Sequence, residues 1–326
     1  MSSFDSALID LATYPAAKLL RPLKSLAENT VNDKSYDMFA TRRKVAGKFA
    51  TDIEMAVPGM LSRMERGSLH PTVTTGVEYT KQFQAMPVGG KVELYEQDVR
   101  YAAQGLPGLI ESTRNALPTS LKFWLEVAFI APVIYGLQGI TNPAGSAPFL
   151  DTLTGDGKKW FADNHTFKST NTLTVSNIPT TDLLANSAAI NTLRTIARSM
   201  QNNSGFYLNL DLTEIMCSKD MTTALKQVMH SEFTPENNTN ARNIALEAAP
   251  NIKIHENSLL PAQSFYTQTN APSETKLQYV IGLEPQVDDE FIKDPRKRVY
   301  YLYTELNFQP ADQGWMSMIP NRAKIS

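Results

Sequence analysis

Two strand-like runs on either side of a Pro-Val-Gly-Gly sequence constrain the fold most strongly. The first run places Val77, Tyr79, Lys81, Phe83 and Ala85 on one face. After the Pro-Val-Gly-Gly sequence, the alternation of side chains resumes through Val92 and Leu94. Because glycines tolerate the positive backbone angles of a tight turn, the pattern predicts a long hairpin that turns at residues 87–90. The two predicted strands carry too many polar side chains to be buried in a core of their own: Glu78, Lys81, Gln82, Gln84, Lys91, Glu93 and Glu96. Since an isolated hairpin is marginally stable in water, we expect it to project and to need a partner surface.

Length, charge and cysteine content exclude several classes of protein. The chain has 326 residues, of which 42% are hydrophobic, enough for one large or two ordinary domains. Its net charge of -2 disfavours a protein that grips nucleic acid through many phosphate contacts. Cys217 is the single cysteine, so an intramolecular disulfide and a multi-cysteine zinc site are excluded.

The longest uncharged stretch, residues 127–150, is too interrupted to predict a membrane span. Only Val127 to Leu137 is continuously apolar apart from Gly136 and a proline, whereas a bilayer core needs about 20 apolar residues. The first residues lack the charge order and the cleavage site of a signal peptide. We therefore expect cytoplasmic synthesis and no membrane partner.

The first 137 residues predict an arm, the hairpin and a helix. Residues 1–50 alternate short apolar clusters with basic residues, so we expect an extended arm with helical pieces that lies on the rest of the chain or on a neighbour. Its Arg42-Arg43-Lys44 run is interpreted as a surface feature. Apolar spacing predicts a helix over residues 106–137, but Pro118 and Pro132 each remove a helical hydrogen bond. This segment is therefore one kinked helix or two stacked ones.

Helices and strands alternate after a Gly-Asp-Gly turn at residues 155–157. Thr180 or Thr181 is expected to cap a helix over residues 183–200, with Asp182 in its first turn, and Ser218 to cap a later one. Strands are predicted over residues 206–210, 215–217, 252–255, 263–267, 277–281, 298–308 and 315–319. Helices on a sheet of mixed direction give an α+β fold.

The search for catalytic motifs finds almost nothing. The sequence has no Gly-x-x-x-x-Gly-Lys-Ser/Thr phosphate loop, no Gly-x-Gly-x-x-Gly, no His-Glu-x-x-His and no Gly-x-Ser-x-Gly. No histidine has a carboxylate or cysteine at metal-ligand spacing; the four are His70, His165, His230 and His255. One arrangement has a catalytic interpretation, in which His165 is a base beside Asp163. The alternative is that His165 anchors the turn after Trp160 and Phe161.

Two further groups have a catalytic and a structural interpretation. Cys217 follows two apolar residues in a predicted strand, which favours a buried thiol that acts as a small hydrophobe over a nucleophile. Residues 288–290 are acidic and residues 296–298 are basic, and a solvated loop of opposite charges is favoured over a metal or acid–base site. We predict no catalytic, cofactor or metal site.

The order of these elements resembles that of the major capsid proteins of tailed bacteriophages. The Asp156 to His165 turn is similar to an Asp-Gly, basic, Phe, x, x, x-His signature of the branch of Mu-like head proteins. The strand and helix of residues 214–229 and the strand of residues 299–308 before Trp315 follow in that branch's order. The prolines in the long helix and the polar loop after Phe167 depart from the pattern.

This resemblance implies five parts of the α+β capsid fold. They are an N-terminal arm over residues 1–60, an extended hairpin loop over 61–103, a long spine helix with a peripheral domain over 104–180, an axial domain over 181–291, and a return strand to the peripheral domain over 292–326. No long coiled-coil heptad precedes the hairpin, so we expect a separate scaffolding protein or none. No cross-link through Lys81 or Lys91 is predicted.

The resemblance also implies a structural subunit that assembles with itself. Identical chains would form the pentamers and hexamers of an icosahedral virion shell, made in the host cytoplasm, around double-stranded DNA that they touch by weak non-specific contact. Portal, scaffolding and decoration proteins are further implied partners. Copies of the chain, rather than its own body, are expected to bury the arm and the hairpin. The alternatives are a tail tube or sheath subunit, and a soluble hydrolase that uses His165 and Asp163.

Overall fold

The chain folds into four helices and twelve strands in the part that the computed structural model describes, which is residues 16–45, 49–55, 77–95, 108–139, 151–168, 173–231, 252–293 and 296–323. The helices are α1 (Ala16–Val31), α2 (Gly108–Tyr135), α3 (Ser187–Ser199) and α4 (Thr222–His230). The strands are β1 (Ala40–Lys44), β2 (Phe49–Met55), β3 (Val77–Gln84), β4 (Met86–Tyr95), β5 (His165–Thr166), β6 (Thr174–Val175), β7 (Leu212–Cys217), β8 (Lys253–Glu256), β9 (Phe265–Thr269), β10 (Leu277–Lys293), β11 (Arg296–Gln309) and β12 (Met318–Pro320). The expected α+β class is confirmed.

The first sheet has the strand order β1-β10-β11-β4. Its centre is the antiparallel pair of β10 and β11, which runs from Gln278 opposite Gln309 to Lys293 opposite Arg296. The strand predicted over residues 298–308 is confirmed, and the one predicted over 277–281 continues to Lys293. One face of β11 is buried through Tyr300, Leu302, Leu306 and Phe308. Such alternation is what a strand with one face on the core requires.

A single helix, α2, packs across this sheet despite two internal prolines. It covers 28 residues, so the alternative of two stacked helices is wrong. Its buried side chains recur at helical spacing and form one stripe: Leu117, Leu121, Leu125, Ala128, Phe129 and Val133. The Phe129 ring lies 5.6 Å from that of Phe308 on β11 and 5.2 Å from that of Tyr36, measured between centroids. This apolar stripe, rather than intrinsic propensity, keeps the helix whole.

By length and composition, the Asn115–Tyr135 part of α2 is sufficient to cross a membrane. This stretch is longer than the apolar run of residues 127–137, because its mean hydropathy stays high despite the scattered polar residues. However, 56% of its most apolar window is buried inside the protein. We interpret α2 as a core helix of the first sheet.

The second sheet has the order β12-β9-β7-β8 and the expected mixed direction. The central strand β7 is parallel to β8 and antiparallel to β9. Helices α3 and α4 bury Ile190, Leu193, Leu225 and Val228 in the core of this sheet. The fully buried Trp315 belongs to the same core.

Several details near this sheet correct the sequence analysis. Helix α3 begins at Ser187, because Asn186 caps it by accepting a 2.7 Å hydrogen bond from the backbone of Ala189. Asp182 instead accepts a hydrogen bond from the backbone of Ala323. The predicted cap Ser218 is wrong, since Met221 occupies the N-cap of α4 without a side-chain bond. The predicted strand over residues 206–210 is also wrong, and in place of the strand predicted over residues 315–319 the structure has a 3-10 turn, Gly314–Met316, followed by β12.

The predicted hairpin is wrong in its pairing. Strand β3 pairs antiparallel with β2, whereas β4 pairs with β11, and the predicted turn lies inside β4. The glycines there serve close packing, because a Cβ on Gly89 would lie 2.9 Å from the carbonyl oxygen of Leu302, and one on Gly90 3.3 Å from Leu117. The two-stranded unit of this region is therefore the pair of β2 and β3, called the ribbon below. Residues 56–76, between its strands, lie outside the described residues.

Part of the arm is folded onto the chain's own body, contrary to expectation. Leu23, Ala27 and Val31 of α1 are fully buried in the core under α2, and β1 pairs in parallel with β10. The apolar clusters of the arm therefore complete the first core. Residues 1–15 lie outside the described residues.

Candidate assembly surfaces

The base of the ribbon is anchored by a buried lysine. The Lys81 side chain is 7% exposed, and its ammonium donates hydrogen bonds to the carbonyls of Pro310, at 2.7 Å, and Leu153. The Asp151 carboxylate lies 3.6 Å away. Burial lowers the pKa of Lys81 below its usual value, and the attraction of Asp151 and Asp312 opposes this only in part. Three acceptors from two other segments thus hold β3 at a defined position on the body.

Aromatic contacts reinforce this anchor. The Tyr79 hydroxyl donates to the carbonyl of Thr166, and its ring meets the ring of Trp315 edge-on at 6.0 Å between centroids. Phe83 is fully buried, and the guanidinium carbon of Arg43 lies 4.9 Å from the centre of its ring. One face of β3, from Tyr79 to Phe83, is therefore packed on the chain's own body, contrary to the expectation that copies of the chain bury it.

The outer face of the first sheet displays three tyrosines. Tyr95, Tyr301 and Tyr303 are 41%, 37% and 40% exposed. Each hydroxyl donates to a carboxylate on the same sheet, those of Glu93, Glu290 and Glu305 in that order. We call this the tyrosine face. Its rings are held in place by these bonds, which makes it suitable for contact with another protein surface.

The charges of the tyrosine face are neutralised within it. Glu93 accepts hydrogen bonds from Lys297 at 2.8 Å, from Tyr95 at 2.8 Å and from Lys91 at 3.0 Å. Together these donors, with Lys297 contributing most, lower the pKa of Glu93 to about 2. A partner that covers this face would therefore meet paired charges.

The acidic and basic residues at the tip of β10 and β11 are not a solvated loop. Asp289 and Arg298 lie on the two paired strands, and their side chains form a 2.7 Å ion pair that is 15% and 8% exposed. The Arg298 guanidinium also lies 5.9 Å from the centre of the Phe291 ring. The expected loop is wrong because strand pairing continues to residue 293 and resumes at residue 296. This pair stiffens the tip of the sheet.

The basic run of the arm contacts its own chain. Arg42 donates to Asp37 at 2.7 Å, and Lys44 is paired with Glu284. Arg43 lies over the Phe83 ring. Each of the three basic side chains therefore has a partner within its own chain.

His165 is part of a buried hydrogen-bond network. Its side chain is fully buried, its Nδ1 lies 3.0 Å from Asp156, and its Nε2 lies 3.2 Å from the carbonyl of Trp160. Its ring stacks on that of Trp315 at 4.5 Å between centroids. Asp163, by contrast, is exposed. Both ring nitrogens of His165 thus have partners other than Asp163, and the anchoring interpretation of His165 is confirmed.

The carboxylate of Asp156 occupies the centre of the Gly-Asp-Gly turn. It accepts hydrogen bonds from the Thr154 hydroxyl at 2.6 Å and from the Lys158 backbone at 3.1 Å. Burial raises the pKa of Asp156, but the bond and charge of His165 and these two donors outweigh it and bring the pKa below its ordinary value. An anion already fills this loop, so it is unsuited to a phosphate.

The remaining candidate residues do not converge. Cys217 is fully buried, as expected, and burial raises the pKa of its thiol, which disfavours the thiolate form that a nucleophile needs. His255 pairs with Glu214 at 2.6 Å, and His230 is exposed on α4. Within the described ranges, no group of three His, Cys, Asp or Glu side chains is placed to hold a metal. His70 lies outside those ranges.

Sequence reasoning missed the tyrosine face and an exposed aromatic turn over residues 201–207. The tyrosine face had a signal in the sequence, because the strand alternation of residues 299–303 places tyrosines on the outer face. For the aromatic turn, the signal was Asn203-Ser204-Gly205, a typical turn sequence directly before the strand predicted over residues 206–210.

The chain is similar to known proteins in its fold rather than in its sequence. No protein-family model and no curated protein sequence matches the chain. Among solved structures, the chain is similar to the capsid asymmetric unit of cyanophage A-1(L), with a TM-score of 0.51 and 13% identity over 91% of this chain and 94% of that one. It is also similar to the capsid of Myoviridae phage XM1, with a TM-score of 0.50 and 11% identity over 88% of this chain and 90% of that one.

At these identities the similarity shows the fold. The chain has the fold of phage capsid subunits, as its element order predicted. The neighbours do not distinguish the Mu-like branch from other members.

Proposed function

We propose that this chain, which has the fold of phage capsid subunits, is the major capsid protein of a phage head. Copies would form the pentamers and hexamers of an icosahedral shell that encloses double-stranded DNA. The observation that carries the proposal is the similarity to a phage capsid over 91% of this chain, which takes in its helices and both sheets rather than one motif. The role is structural, without catalysis.

The surface of the chain supports assembly. In the described residues each strand of the ribbon pairs only with the other, and such a two-stranded unit is marginal by itself; here Lys81 anchors β3 to the body. The tyrosine face offers ordered aromatic rings whose charged neighbours are already paired. In a shell, many such contacts act together, so each can be weak.

The division of the chain into parts follows the same proposal. We assign residues 1–60 to an arm, 61–103 to an extended loop, 104–180 to the spine helix and peripheral domain, 181–291 to the axial domain and 292–326 to the return strand. The spine helix corresponds to α2. The ribbon crosses the first of these boundaries, because β2 belongs to the assigned arm and β3 to the loop.

Partners and location follow from the role. The subunit would be made in the host cytoplasm and reside in the virion, where its main partner is itself. Contact with packaged DNA would be weak and non-specific, because the net charge is -2 and the basic run of the arm is paired internally. Portal, scaffolding and decoration proteins are proposed as further partners.

Electron microscopy of the purified chain, alone and co-expressed with its neighbouring gene products, tests the proposal. Closed shells or rings of five and six subunits are expected. The variant Asp163→Asn is a matched control, since it removes the acid of the hydrolase alternative at an exposed position and should leave assembly unchanged. Helical tubes would instead identify a tail subunit, and a small discrete oligomer at every concentration would overturn the proposal.

A further inference from the structure

The turn that follows α3 holds two aromatic side chains away from the body. Phe206 and Tyr207 are 46% and 62% exposed. The Asn202 side chain accepts 3.0 Å hydrogen bonds from the backbone of Ser204 and of Phe206, and Gly205 has a φ of +81°. We call residues 201–207 the aromatic turn.

The backbone of the aromatic turn is closed on itself. The amide of Asn202 donates to the carbonyl of Phe206 at 3.0 Å, and the amide of Leu208 donates to that of Met200 at 2.9 Å. Met200 is fully buried, so both ends of the turn are tied to the core. Because the turn is already ordered, docking it into a partner would cost little conformational entropy.

A cleft opens beside the same helix. It has a volume of about 290 Å³ and lies between the α3 residues Thr192, Ile196 and Ser199 and the segment of residues 174–180. Val175, Ile178 and Ile196 give it apolar walls. This volume accommodates one aromatic side chain.

We propose that the aromatic turn of one copy docks into the cleft of another copy, with Phe206 as the anchor. This inference rests on the proposed shell function and names a contact within its rings. Within one chain Phe206 and Tyr207 remain exposed, although the aromatic turn begins two residues after Ser199 at the edge of the cleft. Neither surface contains a charged residue, so the contact desolvates no charge.

The geometry also suits a ring. A protrusion on one copy and a recess on the next form a head-to-tail contact, which closes into a ring when the rotation allows it. A rigid aromatic side chain that fills an apolar pocket is the usual centre of a protein interface. The cleft and the turn thus provide the two complementary sides of a repeated contact.

Disulfide trapping tests the contact directly. One copy carries Tyr207→Cys, which keeps Phe206, and the other carries Thr192→Cys at the exposed rim of the cleft. The native Cys217 is fully buried and does not interfere. A cross-linked dimer is expected under mild oxidation only when the two variants are mixed. The control pairs Tyr207→Cys with Lys219→Cys, an exposed position away from the cleft. Equal cross-linking of both pairs, or of neither, would overturn the inference.

Assembly variants provide a second test. Phe206→Ser/Tyr207→Ser should raise the protein concentration needed for assembly about tenfold or more, as expected for loss of a central aromatic anchor. Thr192→Arg blocks the cleft at an exposed position and should do the same. A mixture of these two variants should give dimers rather than rings, because only one productive contact remains in each pair.

These outcomes separate the inference from the proposed function. If both variants assemble like the wild type, the chain is still a shell subunit and the contact is wrong. If the wild-type chain itself forms no rings or shells, the proposed function fails. Phe123→Ser on α2, a similarly exposed aromatic at 62%, serves as the control for a general loss of apolar surface.

Discussion

Replacement of Lys81 by methionine tests how the ribbon is attached to the body. The variant keeps the apolar stem but removes the ammonium that serves the carbonyls of Leu153 and Pro310 and faces Asp151. Each buried acceptor left without a partner costs about 1–3 kcal/mol. The Asp151 side chain is 18% exposed, so water compensates for part of its lost partner. We expect the free energy of unfolding to fall by about 3 kcal/mol.

Two further variants isolate the cause of this loss. Asp151→Asn removes the charge but preserves the oxygen that accepts the 3.0 Å bond from the Leu153 backbone, so it should cost less than half as much. Lys91→Met is the matched control, because Lys91 is 62% exposed and its pair with Glu93 is screened by solvent, so its loss should leave the free energy of unfolding almost unchanged.

Urea unfolding of the unassembled chain, followed by tryptophan fluorescence, measures all three variants. Trp315 contacts Tyr79 on the ribbon, so its emission also reports local release of β3. A thermal midpoint about 5 °C or more below that of the wild type is expected for Lys81→Met. If Lys81→Met and Lys91→Met lose the same small amount, Lys81 does not anchor the ribbon and the reasoning is refuted.

Three other predictions concern the interior. The depressed pKa of Asp156 makes a contribution to stability that is complete above its unfolded value of 3.8 and is lost as the pH falls through the folded value. Asp156→Asn weakens the bond to His165, so its free energy of unfolding should be lower than that of the wild type at pH 7. This difference in free energy should become smaller below pH 3.8, and a difference that does not change with pH would contradict the prediction. Gly136→Ala should cost about 2 kcal/mol in urea unfolding, because its Cβ would lie 2.7 Å from the buried ring of Phe161, and an unchanged midpoint would refute the contact. Cys217 should react with a thiol reagent only after unfolding, and rapid labelling of the folded chain would show that it is accessible.

The strands and helices with strong periodicity were predictable from the sequence. Strand β11 alternates a mainly apolar face, from Tyr300 to Phe308, with a face that carries Tyr301, Tyr303 and Glu305, and only its ends moved. The single helix α2 was one of two predicted alternatives, because a proline weakens a helix locally while a buried apolar stripe stabilises it throughout. Pairing with β11 extended β10 beyond its predicted end, and this long-range partner is not visible in the local sequence.

The errors arose where one residue type has two structural uses. Gly89 and Gly90 were read as a turn, but they allow β4 to approach β11 and α2. Thr180 and Thr181 are good helix caps, yet Asn186 provides the cap. In the candidate site, Asp163 is the nearer acid to His165 in sequence, and the turn of residues 155–157 instead brings Asp156 to it. Tertiary packing decided each case, and sequence distance did not.

A cryo-electron microscopy reconstruction of the assembled particles is the most direct test of the shell proposal. We predict a closed icosahedral lattice in which rings of five and six copies of this chain account for the continuous shell density, with α2 and both sheets recognisable in every copy. A reconstruction with helical symmetry, or a shell whose continuous density belongs to another protein, would contradict the account.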